Sequence, residues 1–256
     1  MNTLSKDNYN FALIGKTLAH SFSKQYFEKK FSTMDVSGSY ELIELHDLRN
    51  IRQTIALRCL RGFNVTIPYK KAIIPLLDET DSAAASIGAV NTVKVSMDGD
   101  KLRLTGFNTD ATAFMETLRP LLLPHHNKAL ILGTGGAALA VAFALRQLGV
   151  DYLFVSRTPE VHSDSIGYDA IIKEKDYSIV INATPIGMFP DVYSSPWPLP
   201  EILGPQHLCY DLVYNPSPTR FLSEAKQRGA TVIDGLPMLY LQADKAFYIW
   251  CDSQKS

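Results

Sequence analysis

The chain has 256 residues, 46% hydrophobic and 20% charged, with 25 basic against 26 acidic side chains and a net charge of −1. Such a composition fits a globular protein with a sizeable core, and near-neutrality gives no electrostatic reason to bind nucleic acid or an anionic membrane. No apolar run reaches spanning length, the polar opening Met1–Asn10 lacks the apolar core of a signal peptide, and the scattered Cys59, Cys209 and Cys251 argue for a reducing cytoplasm rather than a disulfide framework.

Strands and helices alternate along the whole chain, which predicts an α/β architecture. Phe11–Gly15 reads as a strand, Phe22–Phe31 as a helix, Ser39–Leu45 as a strand, and Asp47–Arg58 as a helix with an acidic cap. Gly62–Ile67 is a third strand, stopped by Pro68. Asn91–Ser96 and Lys101–Thr105 flank Met97-Asp98-Gly99-Asp100, a hairpin signal. A helix over Asp110–Leu118 ends before Pro120, and Leu121–Asn127 connects onward, with His125-His126 expected in exposed loop.

Next, Ala129–Leu132 forms an apolar strand that runs into Gly133-Thr134-Gly135-Gly136, followed by a nearly nonpolar helix over Ala137–Leu148 and a second strand at Tyr152–Val155. This is the pattern of a βαβ unit whose glycine turn lets backbone N–H groups approach a pyrophosphate at a helix N-terminus. A site selective for NAD usually follows the second strand with an acid, which bonds the ribose 2′-hydroxyl. Here Ser156-Arg157-Thr158 stands instead, a guanidinium and two hydroxyls suited to a 2′-phosphate, so NADP is the expected cofactor. Further on, Ser178–Asn182 is a strand, 185–205 is proline-rich, Leu208–Val213 is a strand and Pro218–Arg228 a helix opened by proline. Ala230–Ile233 and Met238–Trp250 supply a last strand and a closing helix.

Short polar clusters sit at strand ends in the first half: Ser21-Phe22-Ser23, Asn64 to Lys70, Gly88 to Thr92, and Asn108-Thr109-Asp110. Singly, each has an ordinary reading as helix cap or turn chemistry. Together with Gly133 to Ala137, Ser156-Arg157-Thr158, Asn182-Ala183-Thr184, Tyr210 to Tyr214 and Asp234 to Gln242, they resemble the shikimate dehydrogenase family in order and spacing over essentially the whole chain. The pairing of Asn-Val-Thr-Ile-Pro-x-Lys with Asn-Thr-Asp is far more specific than the glycine turn.

The resemblance implies two domains. One, over 1–107 plus 236–256, would be an α/β substrate domain with a mixed, mainly parallel sheet; the other, over 108–235, a Rossmann-like NADP-binding domain. A cleft and hinge between them would form the active site. It also implies reversible NADPH-linked reduction of 3-dehydroshikimate to shikimate, a step of aromatic amino-acid biosynthesis, in a monomer or homodimer. Lys70 and Asp110 would be the catalytic pair. Ser21 and Ser23 would hold the substrate carboxylate, and Asn64, Thr66, Asn91, Tyr214 and Gln242 would contact its hydroxyls or carboxylate. Gly133, Gly135, Gly136, Ala137, Ser156, Arg157, Thr158, Thr184, Gly235 and Met238 would line the cofactor.

Hydride transfer to a ketone builds negative charge on oxygen, which a lysine can protonate; no metal is needed, because the cofactor performs the redox step. His20 reads as structural. Several residues depart from the family pattern. Lys16-Thr17 and Lys24 replace the usual Asn-Pro and proline, and Phe27-Glu28 replaces a His-Asn pair. Ser156 replaces an asparagine, and Val161 a second arginine. Lys16 or Lys24 could therefore add charge at the carboxylate site. Two alternatives are a quinate/shikimate dehydrogenase using NAD, against which Arg157 speaks, and a non-catalytic ligand-binding relative, against which Lys70 and Asp110 speak.

Overall fold

The computed structural model describes residues 9–19, 21–34, 37–159, 164–173 and 176–251. His20, Val161 and most of the polar opening segment fall outside them. Contacts divide the chain into two units, Met1–Thr109 with Tyr240–Ser256, and Asp110–Leu239.

The first unit is built on a six-stranded sheet with β1 (Tyr9–Gly15), β2 (Gly38–Glu44), β3 (Gly62–Val65), β4 (Glu79–Thr80), β5 (Thr92–Asp98) and β6 (Lys101–Phe107), in the order β2-β1-β3-β5-β6-β4. β1 pairs in parallel with β2 and β3, β4 pairs in parallel with β6, and β5 runs antiparallel to β3 and β6. The sheet is therefore mixed, with more parallel than antiparallel pairs. An interior strand covered on both faces needs a continuous apolar run, which Phe11–Ile14 provides. The hairpin forms as expected, and its register leaves Gly99-Asp100 as the loop.

Helices cover both faces. One side packs Ile51, Ile55, Tyr69 and Ile73 from α2 (Ile51–Leu57) and the turns after β3. The other packs Phe27 and Phe31 of α1 (Ser23–Met34) with Phe247 and Trp250 of α8 (Leu236–Cys251) on Phe11, Leu13 and Tyr40. Phe11 stacks on Trp250 at 4.4 Å between centroids, and the Trp250 indole N–H donates to Val93 O at 3.0 Å, so the ring is packed and satisfied together.

One local expectation fails here. Asp47 does not cap α2: its carboxylate accepts Arg49 N–H and bonds the Arg49 guanidinium, which holds it down at about 2, while the helix begins at Ile51. The stretch after Pro68, where the sequence shows no clear period, folds into α3 (Tyr69–Ala72), a 3-10 turn at Ile74–Leu76, β4, and α4 (Ser82–Ile87). The Asp81 side chain caps α4 by accepting Ala84 N–H at 2.8 Å.

The second unit has β7 (Lys128–Leu132), β8 (Asp151–Val155), β9 (Ser165–Ile166), β10 (Ile179–Asn182), β11 (Leu208–Asp211) and β12 (Thr231–Ile233), all parallel, in the order β12-β11-β10-β7-β8-β9. Its helices are α5 (Thr109–Leu118), α6 (Gly136–Gln147) and α7 (Arg220–Gln227). Both β10 and β11 are buried along their length, as a doubly covered sheet requires. From β7 the chain goes outward through β8 to β9, then returns to β10 on the other side. Strand order therefore reverses between β7 and β10.

Thr219, not proline, caps α7, accepting Leu222 N–H at 3.4 Å. His125 is exposed as expected, but His126 is buried, because its ring Nδ1 accepts Leu123 N–H at 3.0 Å and closes the turn; burial pushes its pKa down.

Candidate functional site

In the first unit, β3 and β5 bring two of the expected substrate residues, Asn64 and Asn91, together. Pairing of Asn64 with Thr92 puts both asparagines beside one another, and Val65 N–H donates to Asn91 O at 2.8 Å. Asn64 is buried, its Nδ2 donating to Asn91 O (3.2 Å) and Thr92 Oγ1 (3.1 Å) while its Oδ1 accepts the Tyr40 hydroxyl (2.8 Å). Both amide protons of Asn64 are thus engaged within the framework, and what it still offers is acceptor capacity on Oδ1. Asn91 is likewise buried: Nδ2 donates to Thr109 Oγ1 (2.9 Å) and Gln242 Oε1 (3.4 Å), and Oδ1 accepts Thr109 N–H (2.8 Å). Gln242 is therefore joined directly to the Asn91 amide.

Lys70 reaches this cluster through its backbone. Thr66 O accepts Tyr69 N–H at 2.8 Å, which turns the chain into α3, and Lys70 O accepts Val90 N–H at 2.8 Å, immediately before Asn91. The Tyr69 hydroxyl donates to Leu45 O at 2.6 Å and anchors the short helix. Lys70 itself is half-buried. Asp110, the residue after the Asn91-bound Thr109, lies buried in the first turn of α5, where the helix N-terminus favours a carboxylate.

Ser21 and Ser23 stand at the N-terminus of α1. Ser21 Oγ accepts Ser23 N–H at 3.3 Å, and a hydroxyl that accepts still has a proton to donate, so these hydroxyls and the first helical N–H groups suit a carboxylate. Lys24 lies 3.8 Å from Glu28 on the same helix, both half exposed, and Lys16 is exposed.

In the second unit, the strand-order reversal puts a crevice outside the carboxyl ends of β7 and β10, the place where open α/β sheets bind ligands. Gly133 ends β7 with φ +101°, and a Cβ on it would meet Thr184 Cγ2 at 2.9 Å; neither the backbone angle nor the space admits a side chain. Gly135 is the N-cap of α6 and has no side chain to satisfy the first N–H groups, while space is open in front of it. Gly136 and Ala137 begin the helix. Unsatisfied donors at a glycine-lined helix start fit the pyrophosphate of a dinucleotide.

At the end of β8, Ser156 is buried and its Oγ accepts Thr158 N–H at 3.1 Å, forming a tight turn that leaves Arg157 and Thr158 exposed. An exposed guanidinium at this position fits a 2′-phosphate. Gly235 is buried with its backbone against the next loop, since a Cβ there would fall 2.1 Å from Leu212 O. Met238 is buried in the first turn of α8, and Tyr214 is half-buried in the loop after β11.

The sequence reading assigned no role to Asp211, Asn182 or Thr219, all fully buried. Asp211 Oδ1 accepts Val213 N–H (2.9 Å) and Asn182 Nδ2 (2.8 Å), and Oδ2 accepts the Thr219 hydroxyl (2.6 Å). Burial pushes its carboxyl up to about 6 despite these donors. The register that puts Asn182 beside Asp211 was the available signal, and it needs the parallel pairing of β10 with β11.

A profile described as "Shikimate dehydrogenase substrate binding domain" matches residues 13–93. "Shikimate dehydrogenase (NADP(+))" from Thermus thermophilus is 40% identical over 247 residues, covering 94% of this chain and 91% of that protein. The crystal structure of shikimate 5-dehydrogenase from Thermus thermophilus in complex with NADP(H) and shikimate superposes with a TM-score of 0.83 at 37% identity, covering 95% of this chain and 94% of that one. Quinate dehydrogenase from Corynebacterium glutamicum in complex with NAD shares the fold at TM-score 0.83 and 27% identity, covering 96% and 95%.

Proposed function

The chain belongs to the shikimate dehydrogenase family, and from that premise we propose that it reversibly reduces 3-dehydroshikimate to shikimate with NADPH, using Lys70 and Asp110 as the catalytic pair. It is an NADP-linked oxidoreductase acting on a secondary alcohol. The observation that carries this reading is similarity to NADP-dependent shikimate dehydrogenases along nearly the full length, joined to a glycine turn that fits a dinucleotide.

The substrate portion is assigned to residues 1–107 and 236–256, and the cofactor portion to 108–235. Ser21 and Ser23 take the substrate carboxylate at the start of α1. Thr66, Tyr214 and Gln242 bind its hydroxyls and carboxylate, while Asn64 contributes through its remaining acceptor capacity and Asn91 holds Gln242 in register. Gly133 to Ala137 take the pyrophosphate, Ser156 to Thr158 the 2′-phosphate, Gly235 and Met238 lie near the nicotinamide, and Thr184 borders the cofactor. The hydride is the chemistry that bound NADPH supplies. Lys70 Nζ donates its proton to the ketone oxygen as charge develops there, and in reverse it accepts the hydroxyl proton. The Asp110 carboxylate orients that ammonium.

No helix among the described residues is long and apolar enough to cross a membrane, and Cys59, Cys209 and Cys251 are free thiols; a cytoplasmic monomer or homodimer is the matching assignment. Following NADPH absorbance with shikimate and with quinate, each against NADP and NAD, tests the whole reading. Shikimate with NADP should be the fastest pair. Faster turnover of quinate with NAD would replace it with the NAD-linked quinate/shikimate alternative, and no turnover of any pair would point to a ligand-binding relative. Arg157→Asp should raise the KM for NADP strongly and that for NAD little; equal effects would remove Arg157 from the phosphate site.

A further inference from the structure

We propose that Asp211 is a positioning residue for the dinucleotide site, acting from the interior on the loops that follow β10 and β11. This rests on the reading that Thr184 and Gly235 border the cofactor. A carboxylate can only accept hydrogen bonds. Facing Asn182, Asp211 Oδ1 therefore dictates which way that amide lies: Nδ2 points to Asp211 (2.8 Å) and to Ile186 O (3.2 Å). Asn182 Oδ1 is then left to accept Thr184 N–H (3.0 Å) and the Thr184 hydroxyl (2.6 Å). The same Thr184 hydroxyl accepts Ile186 N–H at 3.2 Å, so one amide orientation sets the turn from 182 to 186. That turn places the Thr184 methyl directly on the Gly133 turn.

The other arm runs through β11. Asp211 Oδ1 also holds Val213 N–H at 2.9 Å, and Val213 O accepts Gly235 N–H at 3.2 Å, with Leu212 O against the Gly235 α-carbon. Thr219, the cap of α7, closes the third side through Oδ2. Asp211 thus bonds the last residue of β10, the loop after its own strand and a helix start, and reaches the loop after β10 through Asn182. It is fully buried and touches solvent nowhere, so its influence on a ligand passes through Thr184 and Gly235.

Asp211→Asn tests this, because an amide of the same size offers one acceptor oxygen to three donors and lets Asn182 turn over. Calorimetric titration with NADP should show binding weakened about tenfold, with kcat at saturating NADP and the KM for shikimate within about twofold of the unaltered chain. Amide hydrogen exchange at Thr184 and Ile186 should quicken in the same variant. Should Asp211→Asn not fold, Thr219→Val, which leaves the carboxylate in place and removes both its Oδ2 donor and the cap of α7, should still weaken NADP binding about threefold. A folded variant that melts lower yet binds NADP like the unaltered chain would reduce Asp211 to a purely stabilising group. Arg157→Asp separates the premises: if it too leaves NADP binding unchanged, the assignment of the cofactor site fails, whereas weakening by Arg157→Asp alone overturns only the role of Asp211.

Discussion

Asp211→Asn should also alter how stability depends on pH, in a direction fixed by the burial of the carboxyl. In the folded chain its value stands at about 6 against an ordinary 3.8, raised first by burial and slightly by Asp234, and opposed by the bonds from Thr219, Val213 and Asn182. A rise of about 2 units is worth about 3 kcal/mol of preference for the protonated form. The folded state binds this proton more tightly than the unfolded chain does. Its contribution is therefore complete below the unfolded value and is lost as pH rises through about 6. An asparagine has no such term. The stability difference, unaltered chain minus variant, should fall by about 2–3 kcal/mol between about pH 4 and about pH 7. Urea unfolding followed by circular dichroism at both pH values measures it, and taking the difference cancels the titrating groups that do not interact with Asp211. A difference that stays constant, or grows toward neutral pH, would refute the reasoning.

Lys70→Ala should lower kcat by about a thousandfold with the fold retained by circular dichroism, and near-normal turnover would end its catalytic role. Gly133→Ala must place a methyl at φ +101° and 2.9 Å from Thr184 Cγ2; a loss of about 1–2 kcal/mol in unfolding experiments and weaker NADP binding are expected together. Asp81→Ala removes the cap of α4 and should cost about 1 kcal/mol, read as a lower urea midpoint with unchanged NADP affinity.

What the sequence reveals depends on how local the determinant is. The strand–turn–helix from Lys128 to Gln147 was legible because its apolar run, glycines and small helical residues are adjacent in the chain. The hairpin at Gly99-Asp100 was legible for the same reason. Asp47 misled because an acid before a helical stretch looks like a cap, and only the bonds to Arg49 reveal its actual use. Asp81 and Gly88 carried readable start and stop signals for α4, but the helix between them is too short to show a period. Asn64 and Asn91 sat at the expected strand ends, yet no sequence could say that Tyr40, Thr92 and Thr109 already engage their amides. Asp211 stayed silent because its partners at 182, 213 and 219 meet only after two parallel strands pair and a helix docks.

The chain has two tryptophans, and each unit has received one. Trp250 lies in the aromatic layer on Phe11, and Trp197 lies in the second core with its indole N–H given to Leu199 O at 2.8 Å. Both indoles are sheltered, so their emission will redden only when their own surroundings open. A Trp197→Phe protein consequently glows for one half and a Trp250→Phe protein for the other, which turns a single native chain into two independent optical thermometers. Comparing their melting curves tells whether the halves come apart together or in turn.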